Sequence, residues 1–126
     1  MSSLSKREVG QLGEDLAARY LEKRGFRIID RNYRKKWGEI DLVALKDGIT
    51  RFVEVKARLI TIPFVPRETY RLEDKLHPQK LKRIHRALES YLLEKDIAGE
   101  WEIDLITVSL DSLKRSAHCE WIRNVL

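Results

Sequence analysis

The sequence contains one cysteine, Cys119, so it can form neither an internal disulfide nor a zinc site built from several cysteines. Its three histidines, His77, His85 and His118, lack the spacing of metal ligands. No apolar run approaches the length of a membrane-spanning helix, and the first residues contain no apolar signal core. These absences predict a cytoplasmic protein from a reducing compartment, with no membrane partner.

No repeat, low-complexity tract or linker divides the chain, and we therefore expect a single domain over residues 1–126. A hydrophobic fraction of 43% is sufficient for a proper core. Lys and Arg number 25 against 20 Asp and Glu, which leaves a net charge of +5. This balance favours a polyanionic partner, and nucleic acid is the first candidate.

The spacing of apolar residues predicts a mixed α and β fold. A first helix is expected over residues 5–24, and a second helix is expected to begin at Pro78. Strands are predicted around an Asp-Gly pair at positions 47–48 and at residues 26–34, 101–110 and 117–125. Residues 59–77 show no clear period and are predicted to form an irregular connection.

The Asp-Gly pair at positions 47–48 gives the most informative geometry. Such a pair between two apolar runs is the strongest short signal for a hairpin. If these two residues form the loop, Lys46 faces Ile49, and counting back along both strands places Asp41 directly opposite Glu54. The sequence therefore predicts that two carboxylates share one face of the sheet.

Period-two alternation carries Lys56 onto the same face as Glu54. Like charges placed opposite each other destabilise a ladder, and a divalent cation would resolve the conflict between Asp41 and Glu54. Mg²⁺ prefers hard carboxylate oxygens of this kind. The alternative is a solvated strand, since Glu-Val-Lys occurs on many exposed strands without any catalytic role.

Several other residues have two interpretations. Glu14 lies at the border of the apolar stripe of the first helix, where it either reaches a metal cluster or pairs on the helix surface with Arg7 or Lys6. Lys80, at the start of the second helix, either points inward or is an ordinary surface lysine. Trp37 and Tyr33 either stack on unpaired bases or lie in the core. Asp104, inside an apolar strand, is more often a structural acceptor than a ligand.

Three motifs in order, Gly10-x-x-Gly13-Glu14, Gly38-Glu39-Ile40-Asp41-Leu42 and Phe52-Val53-Glu54-Val55-Lys56-x-Arg58, resemble the YraN family of small bacterial proteins. That family is similar to archaeal Holliday-junction resolvases of the PD-(D/E)xK, or restriction endonuclease-like, superfamily. The resemblance covers nearly the whole chain. It implies an α/β fold with a restriction endonuclease-like core, in which α-helices flank a central mixed β-sheet.

The same resemblance implies a metal-dependent endonuclease that hydrolyses DNA phosphodiester bonds, with selectivity for branched or flapped structures. Mg²⁺ or Mn²⁺ would be held by Asp41, Glu54, the carbonyl of Val55 and Glu14, and Lys56 would complete the catalytic residues. Basic residues around this site are the candidates for nucleic-acid contacts: Arg31, Arg34, Lys35, Lys36, Arg58 and Lys80.

Two other functions stay open on the sequence. One is a module that keeps the fold and binds nucleic acid without cleaving it. The other is a protein-interaction domain whose acidic cluster is only structural. A homodimer is also left open as a form of the protein.

Overall fold

The computed structural model describes residues 4–60 and 77–125. In chain order, the elements within these residues are α1 (Lys6–Glu22), β1 (Arg27–Lys35), β2 (Gly38–Lys46), β3 (Ile49–Ile60), α2 (Pro78–Lys95), β4 (Trp101–Asp111) and β5 (Ser116–Ile122).

The strands form one five-stranded sheet in the order β1-β2-β3-β4-β5. Strands β3 and β4 are parallel and are joined through α2, whereas the other neighbours are antiparallel. Parallel neighbours need such a crossover connection, which a helix commonly supplies. The sheet is therefore mixed, and two helices of the described residues flank it. The predicted α/β architecture is confirmed and is consistent with a restriction endonuclease-like core.

Both helices begin at residues that satisfy free backbone N–H groups. The Ser5 side chain accepts a hydrogen bond from the N–H of Glu8, and the Glu8 carboxylate accepts one from the N–H of Ser5. In α2, Pro78 occupies the first turn, and Nδ1 of His77 accepts from the N–H of Gln79. The predicted start of the second helix is therefore confirmed.

Each face of the sheet has its own apolar layer. The layer shared with α1 is built around Leu21, Leu42, Val53, Ile106 and Val108. The layer shared with α2 is built around Val43, Phe52, Ile84, Leu88 and Ile103. Alternate residues of the central strands thus pack against opposite helices, as the pleat of a strand requires.

Two glycines allow close contacts between the helices and the rest of the fold. A methyl group at Gly13 would collide with Cβ of Ala57, so this glycine lets α1 approach the C-terminal half of β3. A methyl group at Gly38 would collide with the backbone carbonyl of Arg83, so this glycine lets the start of β2 approach α2. The second contact fixes the start of β2, three residues before Asp41.

The strand ends differ from the prediction in two places. Strand β3 continues through Leu59 and Ile60, because β4 extends beside it and supplies ladder partners. The prediction of an irregular connection was therefore wrong for these two residues, and residues 61–76 lie outside the described residues. Strand β5 ends at Ile122, before the predicted 125, because the N–H of Asn124 donates to Asp104. Neither helix of the described residues is long and apolar enough to cross a bilayer.

Candidate active site

The β2–β3 hairpin has the predicted register. Asp47 and Gly48 both have positive φ, which is the conformation of a tight two-residue hairpin loop. Lys46 pairs with Ile49, and the ladder runs back to the pair of Leu42 and Val53. The two-residue loop is confirmed, and the next step along this register leads to Asp41 and Glu54.

Strands β2 and β3 stop pairing in the regular way at Asp41. In a continued ladder, the N–H of Val55 would donate to the carbonyl of Ile40. It donates instead to Oδ2 of Asp41, at 2.8 Å. Because the N–H and the carbonyl of a strand residue point to the same side, the Val55 carbonyl faces the place where β2 leaves β3. A carboxylate and a backbone carbonyl therefore meet at the end of the ladder.

Glu54 is almost completely buried, with 4% of its surface exposed. Its carboxyl group lies close enough to that of Asp41 for the two to influence each other's pKa, and its Oε1 lies 2.7 Å from Nζ of Lys80. Its other oxygen, Oε2, has no hydrogen-bond partner among the described residues. An acid with one oxygen unsatisfied in a buried position is unusual, because such a group loses its hydration without replacement.

Burial, followed by the charge of Asp41, raises the pKa of Glu54 from an ordinary value of 4.5 to about 8, although Lys80 acts in the opposite direction. Burial also raises the pKa of Asp41, against the lowering effect of the Val55 N–H. Both shifts favour the protonated forms, so the pair retains a proton to a higher pH than two separate acids would. Coupled carboxyl pairs of this kind also occur in catalytic sites.

Lys80 points inward, which decides between its two interpretations. Burial alone would lower its pKa, but the hydrogen bond to Glu54 and the negative charge of Asp41 outweigh burial and raise it. Lys80 belongs to the first turn of α2, so the positive end of the helix dipole also lies near the carboxylates. The acidic pair is thus compensated by a lysine and by a helix terminus.

Glu14 of α1 is buried and lies close enough to this pair to be affected by it. Burial, then the charge of Asp41, raises the pKa of Glu14. Arg31 approaches Oε1 of Glu14 only to 3.5 Å, and this oxygen has no hydrogen-bond partner among the described residues. Within residues 4–60 and 77–125, no three acidic, histidine or cysteine side chains are already gathered as a set of metal ligands. Glu14 therefore lies near Asp41 and Glu54 but does not form a ready-made set of metal ligands with them.

Glu39 belongs to the same region and was missed by the sequence reasoning. Its negative charge raises the pKa of Asp41, and its carboxylate lies 3.8 Å from Nε of Arg34. The available signal was the alternation within β2, which places Glu39 two residues before Asp41. The motif around Asp41 therefore contributes two acids to the local charge.

The remaining predicted residues on β3 lie beyond Glu54. Lys56 is exposed and follows Glu54 by one pleat, so it lies on the same face of the sheet. Arg58 is half-buried and follows by one further pleat. The face of β3 that carries Glu54 is thus basic towards its C-terminal end.

The basic residues of β1 and of the following turn have different environments. Nη2 of Arg31 lies 2.6 Å from Asp15, and Nζ of Lys35 lies 2.8 Å from Glu94. Both side chains therefore form ion pairs with acidic residues of the two helices. Arg34 and Lys36 are exposed, and their charged groups are accessible to a ligand.

Asp104 is a structural acceptor, as the sequence suggested. Its Oδ2 accepts from Nη1 of Arg51 at 2.9 Å and from Nε1 of Trp121 at 2.8 Å, and its Oδ1 accepts from the N–H of Asn124 at 2.9 Å. It is completely buried, and Arg51 also bonds to Glu102. This network attaches the C-terminal residues to the sheet.

Residues 13–108 match the family described as Uncharacterised protein family UPF0102. The chain belongs to this family. A UPF0102 protein of Campylobacter jejuni (strain 81-176) is 38% identical over 105 residues, which cover 83% of this chain and 87% of that protein. A UPF0102 protein of Alkaliphilus metalliredigens is 36% identical over 110 residues, covering 86% and 91% of the two chains. One from Campylobacter lari is 33% identical over 112 residues, covering 89% and 93%.

The match confirms the YraN resemblance, because UPF0102 is the YraN family. The UPF0102 range of 13–108 includes every residue of the candidate site, from Glu14 to Lys80. The site therefore lies within the part of the chain that is typical of the family.

Proposed function

We propose that this UPF0102 protein is a metal-dependent endonuclease that hydrolyses DNA phosphodiester bonds, with a preference for branched or flapped DNA. The observation that carries the proposal is the coupling of two neighbouring carboxyl groups, Asp41 and Glu54, just beyond the last ladder pair of β2 and β3. Folding alone gives no reason to place two acids in contact in a poorly hydrated position, because their repulsion lowers stability. A site that binds a cation gives such a reason.

The side chains present suit a hard divalent cation. Oε2 of Glu54 and Oε1 of Glu14 are buried without hydrogen-bond partners among the described residues, and the Val55 carbonyl faces the end of the ladder. Carboxylate and carbonyl oxygens are the ligands of Mg²⁺ and Mn²⁺. Asp41, Glu54, Val55 and, after a side-chain movement, Glu14 would hold the ion. Such an ion polarises a scissile phosphate and lowers the pKa of a bound water.

The lysines supply the remaining charge. Lys80 now neutralises Glu54, and its long side chain is about half exposed, so it can exchange this carboxylate for a substrate phosphate. Lys56, on the same face as Glu54, is placed to orient the attacking water or to stabilise charge on the phosphate oxygens. Arg34 and Lys36 would contact the backbone of the bound DNA.

The test is a cleavage assay on single-stranded, duplex, flap and four-way DNA, with Mg²⁺, Mn²⁺ or a chelator. We expect metal-dependent cleavage by the unmodified protein and none by Asp41→Asn or Glu54→Gln, both of which should still bind DNA. Asp47→Asn is the matched control, because it removes one charge from the same hairpin and Asn-Gly also suits the loop. If both site variants cleave DNA as well as the unmodified protein does, the activity belongs to a contaminant.

A nucleic-acid-binding module without cleavage is the second candidate. The ion pair of Lys80 with Glu54 favours it, because this pair compensates the acidic site in the absence of any cation. In that case, DNA affinity is the same with chelator as with Mg²⁺, and no DNA of the panel is cleaved under either condition.

A further inference from the structure

Trp37 presents an unusual combination of exposure and fixed orientation. It is 43% exposed in the turn between β1 and β2. Its Nε1 donates to Oγ of Ser90 at 2.9 Å, and Ser90 in turn donates to the carbonyl of Arg86. Tyr33, by contrast, packs edge-on against Tyr91 in the core. Of the two aromatic residues that could stack on bases, Trp37 is thus the accessible one.

The residues on both sides of the turn that carries Trp37 contact α2. Gly38 packs directly against the backbone carbonyl of Arg83, and Lys35 pairs with Glu94 at 2.8 Å. The indole therefore loses little conformational entropy when a ligand covers it. A rigid and partly exposed ring of this kind favours stacking on a flat partner.

The surroundings of the ring carry positive charge. Arg34 and Lys36 are exposed in the same hairpin, and Arg83 and Arg86 are exposed on α2. Residues 83, 86 and 90 are spaced by three and four positions, so they lie along one side of the helix. Arg83 and Arg86, on the side of α2 that carries Ser90, form a basic track beside the indole. An aromatic ring flanked by cations matches a nucleobase flanked by phosphates.

The track has a definite length relative to the candidate active site. Ser90, which holds the indole, follows Lys80, which holds Glu54, by ten residues on α2. This is about 15 Å at roughly 1.5 Å per residue. At about 3.4 Å per base pair, the same distance corresponds to roughly four base pairs of duplex.

From these observations we infer that Trp37 stacks on an unpaired base at the end of the track formed by Arg83 and Arg86, and so selects DNA in which a single strand leaves a duplex. The inference rests on the proposed function for its substrate class, but the stacking itself is measurable without cleavage.

The test measures DNA binding by the Glu54→Gln protein in the presence of a chelator. The probes are a 5′ flap, a single strand and a fully paired duplex, with 2-aminopurine as the first unpaired base of the flap. Trp37→Ala should weaken binding of the flap and single strand about tenfold, the size expected for one lost stacking contact, and leave duplex binding unchanged. Trp37→Phe should retain most of the affinity. Leu113→Ala, which also removes an exposed apolar side chain, is the matched control.

Two further measurements separate stacking from a structural role. With Trp37 intact, binding should quench the fluorescence of 2-aminopurine placed as the first unpaired base. No quenching at this position would overturn the inference. The slope of log affinity against log salt should be unchanged in Trp37→Ala, whereas Arg83→Ala with Arg86→Ala should lower it by roughly 0.9 for each lost contact with a duplex phosphate.

The outcomes distinguish this inference from the proposed function. A Trp37→Ala defect that is equal for flap and duplex, or no defect, overturns the stacking role even if the protein cleaves DNA. A defect limited to unpaired bases, in a protein that cleaves nothing, supports stacking and rejects the nuclease. If the unmodified protein binds none of the probes, the inference is overturned, and the surface around Trp37 is better assigned to a protein partner.

Discussion

The substitution Glu54→Gln should make the stability of the folded protein less sensitive to rising pH. In the folded protein the pKa of Glu54 is about 8, against an ordinary value of 4.5 that applies to the unfolded chain. Between these values the folded state binds an extra proton, so stability is highest below about pH 4.5 and is lost as the pH rises through about 8. The substituted glutamine side chain cannot titrate and resembles the protonated acid in shape, so the variant escapes this loss.

The expected size follows from the same pKa. Each pH unit in this window changes the free energy of unfolding by about 1.4 kcal/mol for one proton. Between pH 5 and pH 8, Glu54→Gln should therefore gain roughly 4 kcal/mol over the unmodified protein, and the difference should level off above pH 8. Below pH 5 the two proteins should be of similar stability.

The assay is urea unfolding at intervals between pH 5 and pH 9 in the presence of a chelator, with equal m-values as the check that the unfolded states are comparable. Asp47→Asn, at the exposed loop of the same hairpin, should follow the unmodified protein across the whole range. Parallel pH profiles for Glu54→Gln and the unmodified protein would show that the acid is ionised throughout, and the reasoning about the raised pKa would then be wrong.

Three further predictions concern packing and charge. Gly13→Ala should cost about 1 to 3 kcal/mol in urea unfolding because its methyl group meets Ala57, whereas Gly10→Ala, with open space around it, should be neutral or stabilising. Asp104→Asn should cost roughly 3 kcal/mol in the same measurement, because it removes the charge beside buried Arg51 and turns an NH₂ group towards a donor that Asp104 accepts from, and a cost near zero would contradict the structural role. In filter binding, DNA affinity should fall steeply with added salt, and both affinity and salt slope should fall when alanine replaces three basic residues together, Arg34, Lys35 and Lys36.

The parts of the fold that the sequence predicted are those with local causes. The Asp-Gly loop sets the hairpin register because both of its residues adopt positive φ, and Pro78 marks the start of α2 because it suits a first helical turn. The end of β3 was not predictable in this way. Leu59 and Ile60 extend the strand because β4, which is distant in sequence, continues beside them.

The candidate site shows the same division between local and distant causes. The register counted from the loop holds as far as Leu42 and Val53, and so predicts that Asp41 and Glu54 are neighbours, but it does not predict that Asp41 leaves the regular ladder. The direction of Lys80 does not, since it depends on how α2 crosses the sheet and meets Glu54. The position of Glu14 depends on the close approach of α1 that Gly13 permits, and no spacing in the sequence shows that its carboxylate stops beside Arg31.

The charge balance of the site explains how one arrangement can be stable without a cation and still suit a reaction on phosphate. The raised pKa values favour a proton on the acidic pair, and Lys80 supplies a positive charge beside it; half of the Lys80 side chain is exposed, so this partner is exchangeable. A cation would replace the proton, because it gives both carboxylates a common positive partner. A phosphate would then give Lys80 a new partner while the cation keeps Glu54 compensated. The bound cation compensates Glu54 and so frees Lys80 for the phosphate. Cation and DNA should therefore each strengthen the binding of the other.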